Sequence, residues 1–233
     1  MKKKKEEKAA KTLIFETLKE KAILKQDVFQ NTKSTFLLFK EVVKEFAENY
    51  KEKFAEIDSR IEIDYVDAGE FEIQLKIAGD ILFFNMHTNV FDFDKSHLIW
   101  KNSYVDNNES NAYCGMINVY NFLTDSFKYN RLNDLGYLIA RVFVNRENHF
   151  FVEGKRQLGF LYNDFSNNII SRESVEKIVD SAILYSLDFD LLTPPYSNMQ
   201  QLSVMEMQQW STSLQTKTGK RLGFKFQSDT DSF

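Results

Sequence analysis

The sequence contains few of the residues that interrupt or cross-link folded chains. Its 233 residues include two prolines, eight glycines and one cysteine. The lone Cys114 excludes a disulfide within the chain and is typical of a reducing compartment. So few prolines and glycines argue against long linkers and low-complexity segments. Because no run approaches the roughly 18 apolar residues of a membrane-spanning helix, we expect a cytoplasmic protein without membrane contacts.

The motifs of several large enzyme classes are also missing. The chain has no Walker loop, Gly-rich dinucleotide fingerprint, zinc-ligand spacing or Gly-x-Ser-x-Gly elbow. Its net charge of −4 gives no general basic footprint for nucleic acid. Nucleic-acid binding stays open through a local basic patch but is not favoured. The lysine run at residues 2–5 is interpreted as a solvated helix start.

What the sequence does contain is enough apolar material for a large core. Hydrophobic residues make up 43% of the chain, and 22 of them are Phe. This composition excludes disorder over most of the chain. We expect a helical extension at residues 1–30, one α+β domain at residues 31–227 and a loose tail at residues 228–233.

The clearest element is a helix from Lys33 to Asp58. A stripe with several Phe and Tyr rings cannot remain in water, so the helix needs a broad apolar partner. A first helix is predicted at residues 5–29, and the polar cluster at residues 30–32 would separate the two. The apolar stripe of the main helix consists of Phe36, Phe39, Val43, Phe46, Tyr50, Phe54 and Ile57.

After Asp58 the apolar residues change to a period of two, which indicates strands. Short strands with short turns predict an antiparallel meander of about six to eight strands, followed by C-terminal helices packed on the sheet. Ser171 caps the first of these helices. The segment 132–144 could be helix or strand. Further strands are predicted at 97–100, 113–123, 137–145, 149–153, 157–163 and 222–226, and a further helix at 198–215.

The first hairpin provides one candidate catalytic face. A three-residue loop at residues 67–69 would set Ile63 opposite Ile73 and Asp64 opposite Glu72. Facing carboxylates repel unless a cation or proton lies between them. This face, with its Gln-x-Lys strand, resembles the core of metal-dependent nucleases over about 15 residues. The candidate catalytic residues are Asp64, Glu72, Gln74 and Lys76.

In that interpretation the carboxylates of Asp64 and Glu72 would hold Mg²⁺, and Lys76 would stabilise developing charge. The alternative is a solvated sheet face on which Lys76 relieves the repulsion. Asp92, Asp94 and His97 could similarly be metal ligands, although ordinary turn chemistry explains them better. A nucleophilic role for Cys114 has no local support, because it lies in an apolar strand.

Aromatic residues crowd the middle of the chain among arginines. Most are expected in the core, but such mixtures also bind small molecules or proteins. Arg141, Arg156 and Tyr162 are therefore candidate ligand-binding residues of a nucleotide or small-molecule sensor.

The function favoured by the sequence is a non-catalytic binding or assembly module without a cofactor. It would bind a protein partner, or a second copy of itself, through the N-terminal helices and an aromatic-rich sheet surface. The alternatives are the Mg²⁺-dependent nuclease or phosphodiesterase and the sensor domain.

Overall fold

A computed structural model describes residues 2–191, 193, 195–205, 207 and 208. It begins with one continuous helical rod. Helix α1 (Lys2–Thr17) leads through a π-helical turn (Leu18–Ala22) into α2 (Ile23–Ile57). The predicted separation at residues 30–32 is wrong, because α2 runs through them.

The polar residues at positions 30–32 do not break the helix, because two of their side chains form hydrogen bonds that are compatible with it. The Thr32 hydroxyl donates to the Val28 carbonyl oxygen at 2.7 Å, one turn back. Such bonds to the preceding turn let Thr sit inside a helix without competing for the backbone ladder. The Asn31 amide donates to the backbone oxygens of Asn145 and Arg146 at 3.2 and 2.7 Å. The cluster therefore ties the helix to a turn of the sheet.

The sheet confirms the α+β class and the antiparallel meander. Its six strands lie in chain order, and each is antiparallel to its neighbours. Helix α6 (Arg172–Leu187) begins at the predicted cap, where the Ser171 and Ser174 side chains form a capping box. The strands are β1 (Ile63–Asp67), β2 (Glu72–Ile77), β3 (Asp80–Met86), β4 (Cys114–Leu123), β5 (Tyr137–Asn145) and β6 (Phe150–Gly154). The remaining helices are α3 (Ser103–Asp106), α4 (Thr124–Lys128), α5 (Gln157–Leu161), α6 (Arg172–Leu187) and α7 (Tyr196–Met199).

The two long helices cover one face of the sheet. Helix α2 contributes the predicted Phe36, Phe39 and Val43, which are at most 1% exposed. The α6 stripe packs into the same core. Ile63 and Ile73 lie on this face, as predicted, although they are not directly opposite each other.

An irregular segment at residues 87–113 covers part of the second face. Its Ile99 and Val105 form a smaller core with Phe143 and Phe151 of the sheet. This segment includes two short 3₁₀ turns, at Leu98–Lys101 and Glu109–Ala112. The strand predicted at 97–100 is therefore wrong. The His97 ring accepts a hydrogen bond from the Ile99 backbone N–H and so caps the turn locally.

The strand predicted at 157–163 is also wrong in its first part, which is helix α5. Arg156 has a φ of 49°, so the chain leaves the edge of β6 in the left-handed region and reverses. Leu158 then packs against Gly154, where an added β-carbon would lie 2.6 Å from the Leu158 β-carbon. The ambiguous segment 132–144 contains strand β5.

The helix predicted at 198–215 is described only at residues 198–205, 207 and 208, and residues 201–203 are not helical, so a continuous helix is wrong there. The strand predicted at 222–226 and the tail at 228–233 lie outside the described residues. Among the helices that the structure describes, none combines the length and apolar character required to cross a membrane.

Candidate functional site

A row of polar side chains crosses the second face of the sheet. Because the strands are all antiparallel neighbours, each of these residues is directly paired with the next. At about 4.8 Å between strands, the row is roughly 19 Å long. The polar row consists of Glu72, Asn85, Asn118, Arg141 and Glu153.

One end of the polar row is a charged cluster. The Arg141 guanidinium donates through one Nη to a Glu153 carboxylate oxygen. The other Glu153 oxygen lies 3.0 Å from Nε2 of His97. Since Nδ1 of His97 already accepts the Ile99 backbone N–H at 3.2 Å, the neutral ring must carry its proton on Nε2 and donate it to Glu153. Both ring nitrogens are thus engaged, which leaves His97 no free basic nitrogen.

The middle of the polar row holds a buried amide. Asn118 is 7% exposed, and within the described chain its side chain has no hydrogen-bond partner. The Asn85 amide beside it donates to the Phe71 carbonyl oxygen at 3.3 Å. Neither amide atom of Asn118 is among the fully buried side-chain atoms of the described chain that lack a partner, so the amide remains accessible to water at the centre of this face.

A pocket of about 510 Å³ opens at the Glu72 end of the row. We call it the aromatic pocket. The rings of Phe83, Phe122 and Phe127 form one wall, with centroids 5.2 to 5.6 Å apart. Tyr120 and the Glu72 carboxylate also line it. The pocket thus combines apolar rings with the acidic side chain of Glu72.

The remaining wall of the aromatic pocket comes from the segment after β4. Arg131 and Asp134 line it as a buried ion pair, with side chains 5% and 4% exposed and 3.2 Å between Nε and Oδ2. The Ser126 hydroxyl donates to the same Asp134 oxygen at 2.7 Å. The charge of Arg131 is therefore compensated inside the protein.

A second pocket, of about 560 Å³, lies at the Glu153 end of the row. Phe151 and Phe165 give it apolar walls, and His97, Glu153 and Asn163 give it polar ones. The two pockets therefore lie at opposite ends of one row of polar side chains.

The hairpin residues predicted for a nuclease site do not gather as expected. The predicted register is wrong: Asp64 is opposite Lys76, not Glu72, and a four-residue connection, 68–71, replaces the predicted three-residue loop. The Asp64 carboxylate accepts from Lys51 Nζ at 2.8 Å, and Lys76 donates to Glu62, whose pKa it lowers. Glu72 instead accepts from Gln74 at 3.0 Å. The two predicted metal ligands thus belong to separate side-chain clusters.

The residues predicted for a sensor site also separate. Arg141 lies in the polar row, on the second face. Arg156 pairs with Asp188 at 3.2 Å and lies over the Tyr185 ring. Tyr162 packs on Phe150 at a ring-centroid distance of 4.9 Å and belongs to the core on the opposite face.

The other candidates are explained by local structure. The Asp94 carboxylate accepts from the Ser96 N–H and hydroxyl, as in an ordinary turn. Cys114 is fully buried, and burial raises the pKa of its thiol. Across the residues with described positions, no group of three or more His, Cys, Asp or Glu is arranged to hold a metal ion.

A different surface is offered by the start of the rod, residues 10–22, which we call the projecting helix. All of its residues are exposed, and from residue 10 onward the first buried residue is Leu24. Ile14, Phe15 and Leu18 are 59 to 63% exposed. At 100° per residue these three lie within an arc of about 100°, so they form a short apolar stripe facing solvent.

Comparison with protein-family models, with curated proteins and with solved structures finds no match to this chain.

Proposed function

We propose that the chain is a non-catalytic binding module that docks its projecting helix into an apolar groove on a partner protein. The observation that carries this proposal is the solvent-exposed stripe of Ile14, Phe15 and Leu18. Large apolar residues at spacings of three and four are the anchors by which amphipathic helices bind grooves. A helix held clear of its own domain presents such anchors without rearrangement.

The length of the stripe favours a groove over a second helix. Ile14 to Leu18 spans about 6 Å of helix, whereas a coiled coil needs apolar positions sustained over three or more heptads. A groove buries each anchor on several sides and so needs fewer of them. Self-association through paired N-terminal helices is therefore less favoured than a different partner.

The charge of the N-terminal helix indicates which residues surround the groove on the partner protein. Residues 2–25 contain nine Lys and four Glu, although the whole chain carries a net charge of −4. Opposite charge at the rim of an interface steers association and excludes wrong partners. We therefore expect an acidic rim on the partner.

Photo-crosslinking in cells tests this proposal. A photoreactive residue at Lys11 lies over the stripe, and one at Glu16 lies on the opposite side of the same helix. We expect a discrete crosslinked protein from position 11 and little from position 16. Leu18→Glu should abolish the product, whereas Thr17→Glu, which adds the same charge off the stripe, should retain it.

Two further measurements test whether a second copy of the chain or a lipid surface, instead of a partner protein, covers the apolar stripe. Light scattering during size-exclusion chromatography would show a particle of twice 27.4 kDa if a second copy covers the stripe. Co-sedimentation with anionic vesicles would show whether the basic helix binds lipid instead. A monomer that crosslinks to nothing at position 11 would contradict the proposal.

The nuclease hypothesis stays a prediction with less geometric support. Its assay is Mg²⁺- or Mn²⁺-dependent cleavage of nucleic acid, with loss of cleavage in Lys76→Ala. The ion pair between Lys76 and Glu62 and the separation of Asp64 from Glu72 are the observations that weigh against it.

A further inference from the structure

We infer that the aromatic pocket binds an organic cation, with the Glu72 carboxylate as its counter-ion. The ligand would carry an ammonium or guanidinium group on an apolar stem or ring. This site is separate from the projecting helix, so the inference does not depend on the proposed function.

The balance of charge around the pocket indicates the sign of the charge on its ligand. Arg131 is paired with Asp134, and Arg141, toward the other end of the row, is paired with Glu153. Glu72 is the charged residue of the row that is left without an ion-pair partner, because no Lys, Arg or His in the described chain lies within ion-pair distance of it. One uncompensated negative charge therefore faces the pocket, which favours a cation over an anion.

The hydrogen bonds of Glu72 leave one of its carboxylate oxygens able to bind a cation. One carboxylate oxygen accepts from the Gln74 amide at 3.0 Å, while the other has no partner within the described residues. The Gln74 bond holds the carboxylate in place. A ligand N–H directed at the second oxygen would form a charge-assisted hydrogen bond, which is about twice as strong as a neutral one.

The aromatic wall suits the rest of such a ligand. The negative faces of Phe and Tyr rings attract cations, and they bury apolar stems at the same time. Phe83, Phe122 and Phe127 pack on each other, which places a broad apolar surface beside Glu72. A volume of about 510 Å³ lies within the range of small-molecule sites and admits an arylalkyl amine or a single Lys or Arg side chain.

Calorimetry with a matched set of probes tests the inference. The cations are 2-phenylethylammonium, Nα-acetyl-lysine amide and Nα-acetyl-arginine amide. The controls are 2-phenylethanol, which lacks the charge, and 3-phenylpropionate, which reverses it. We expect at least one cation to bind the full chain with a Kd below about 1 mM, and both controls to bind at least about tenfold more weakly.

Variants assign the binding to this pocket. Glu72→Gln keeps the shape of the side chain and should weaken cation binding by about 10- to 100-fold, because it removes a charged hydrogen-bond partner. Glu70→Gln is the matched control: Glu70 is exposed and paired with Lys33, so the affinity should not change. Phe127→Leu, at a position 51% exposed, should fold normally and also weaken binding.

The probes also distinguish a free amine from a side chain of another protein. Preference for 2-phenylethylammonium indicates a metabolite-like amine, and preference for the two amino-acid amides indicates a Lys or Arg of a peptide. The inference is overturned if no cation binds at 5 mM ligand, about five times the expected limit. It is equally overturned if the alcohol binds as well as the amine, or if Glu72→Gln and Glu70→Gln have the same affinity.

Discussion

The Thr32 hydroxyl of α2 occupies the space in which a side chain on Gly115 of β4 would lie. A β-carbon on Gly115 would be 2.0 Å from the Thr32 Oγ1 and 2.7 Å from its Cβ. The Thr32 side chain of the helix therefore packs directly on the backbone of the sheet at Gly115, and only glycine permits this approach.

Gly115→Ala should consequently lower the free energy of unfolding by at least about 2 kcal/mol, because the helix must move away from the sheet. Thr32→Gly removes every clashing atom, so the double variant should be more stable than the sum of the single effects predicts. Gly79→Ala is the control, since its added β-carbon has no neighbour within 4 Å. Denaturant unfolding measures the wild type and the four variants, and purely additive effects of Gly115→Ala and Thr32→Gly would disprove the contact.

The same contact explains why the helix boundary was not predictable from sequence. A polar cluster such as residues 30–32 usually ends a helix. Here Thr32 bonds back to its own helix and Asn31 bonds to a turn 114 residues away. Only the folded chain brings those partners together, whereas the apolar stripe is a local property. Its first part, from Phe36 to Val43, is buried as predicted, but Tyr50 and Ile57 at its far end are exposed.

The register of the first hairpin has a similar explanation. A strand with period two keeps its apolar face when it slides by an even number of residues, so the pattern allowed both the predicted and the observed pairing. Turn chemistry favoured the short loop. The fold selects the longer one, in which Lys40 of α2 binds the Asp67 carboxylate and the Gly69 carbonyl oxygen at 2.8 and 2.6 Å.

The polar row was only partly predictable. Glu72 and Arg141 were candidates on their own, but their connection requires the complete strand order. Asn85 and Asn118 were missed, although each lies between two buried apolar residues of its strand. A single Asn between buried neighbours is a sequence feature that could have indicated them.

Removal of residues 1–22 should leave the domain folded. Because residues 10–22 are exposed, we expect the melting temperature to fall by less than about 2 °C. Phe39→Ala, at a fully buried position, should instead cost about 3–5 kcal/mol. Differential scanning calorimetry compares the two. A large loss of stability in the truncated chain would show that the projecting helix packs on the domain.

Asn145 should be among the least replaceable polar residues. Its side-chain oxygen accepts from the backbone N–H groups of Glu147 and His149 at 2.9 and 3.0 Å. Its side-chain nitrogen donates to the Tyr104 hydroxyl and to the Asn111 carbonyl oxygen. Asn145 is fully buried, so its replacement leaves several buried groups without partners.

We therefore expect Asn145→Ala to lower the free energy of unfolding by about 2–3 kcal/mol. Asn107→Ala, at an exposed position, should change it by less than about 0.5 kcal/mol. Equal effects of the two substitutions in urea titrations would contradict the role of Asn145.

Alkaline conditions should destabilise the protein through Cys114. Burial raises the thiol pKa above its ordinary value of 9.0, so the thiol ionises in the unfolded chain at a lower pH than in the folded one. The stabilisation is complete below pH 9 and is lost as pH rises, with a slope approaching about 1.4 kcal/mol per pH unit.

Cys114→Ala should remove that contribution, so the stabilities of wild type and variant should converge or cross between pH 9 and 10. Labelling with iodoacetamide gives a second measurement, because a protonated and buried thiol is a poor nucleophile. Rapid labelling of the native protein at pH 8, matching the rate in guanidinium chloride, would refute the assignment.

The π turn at Leu18–Ala22 sets the direction in which the projecting helix presents its anchors. Continued as a regular α-helix, Ile14 would lie on the same side of the rod as Val28. The wider turn accommodates one additional residue, which rotates everything before it by about 100°. If residues 18–22 formed a regular α-helix of the same length, the anchors would turn toward the body of the protein. Deleting one residue within the π turn would restore regular helix and leave the anchors facing as they do now. The direction of this surface therefore depends on the π turn itself, and not on the identity of the anchor residues.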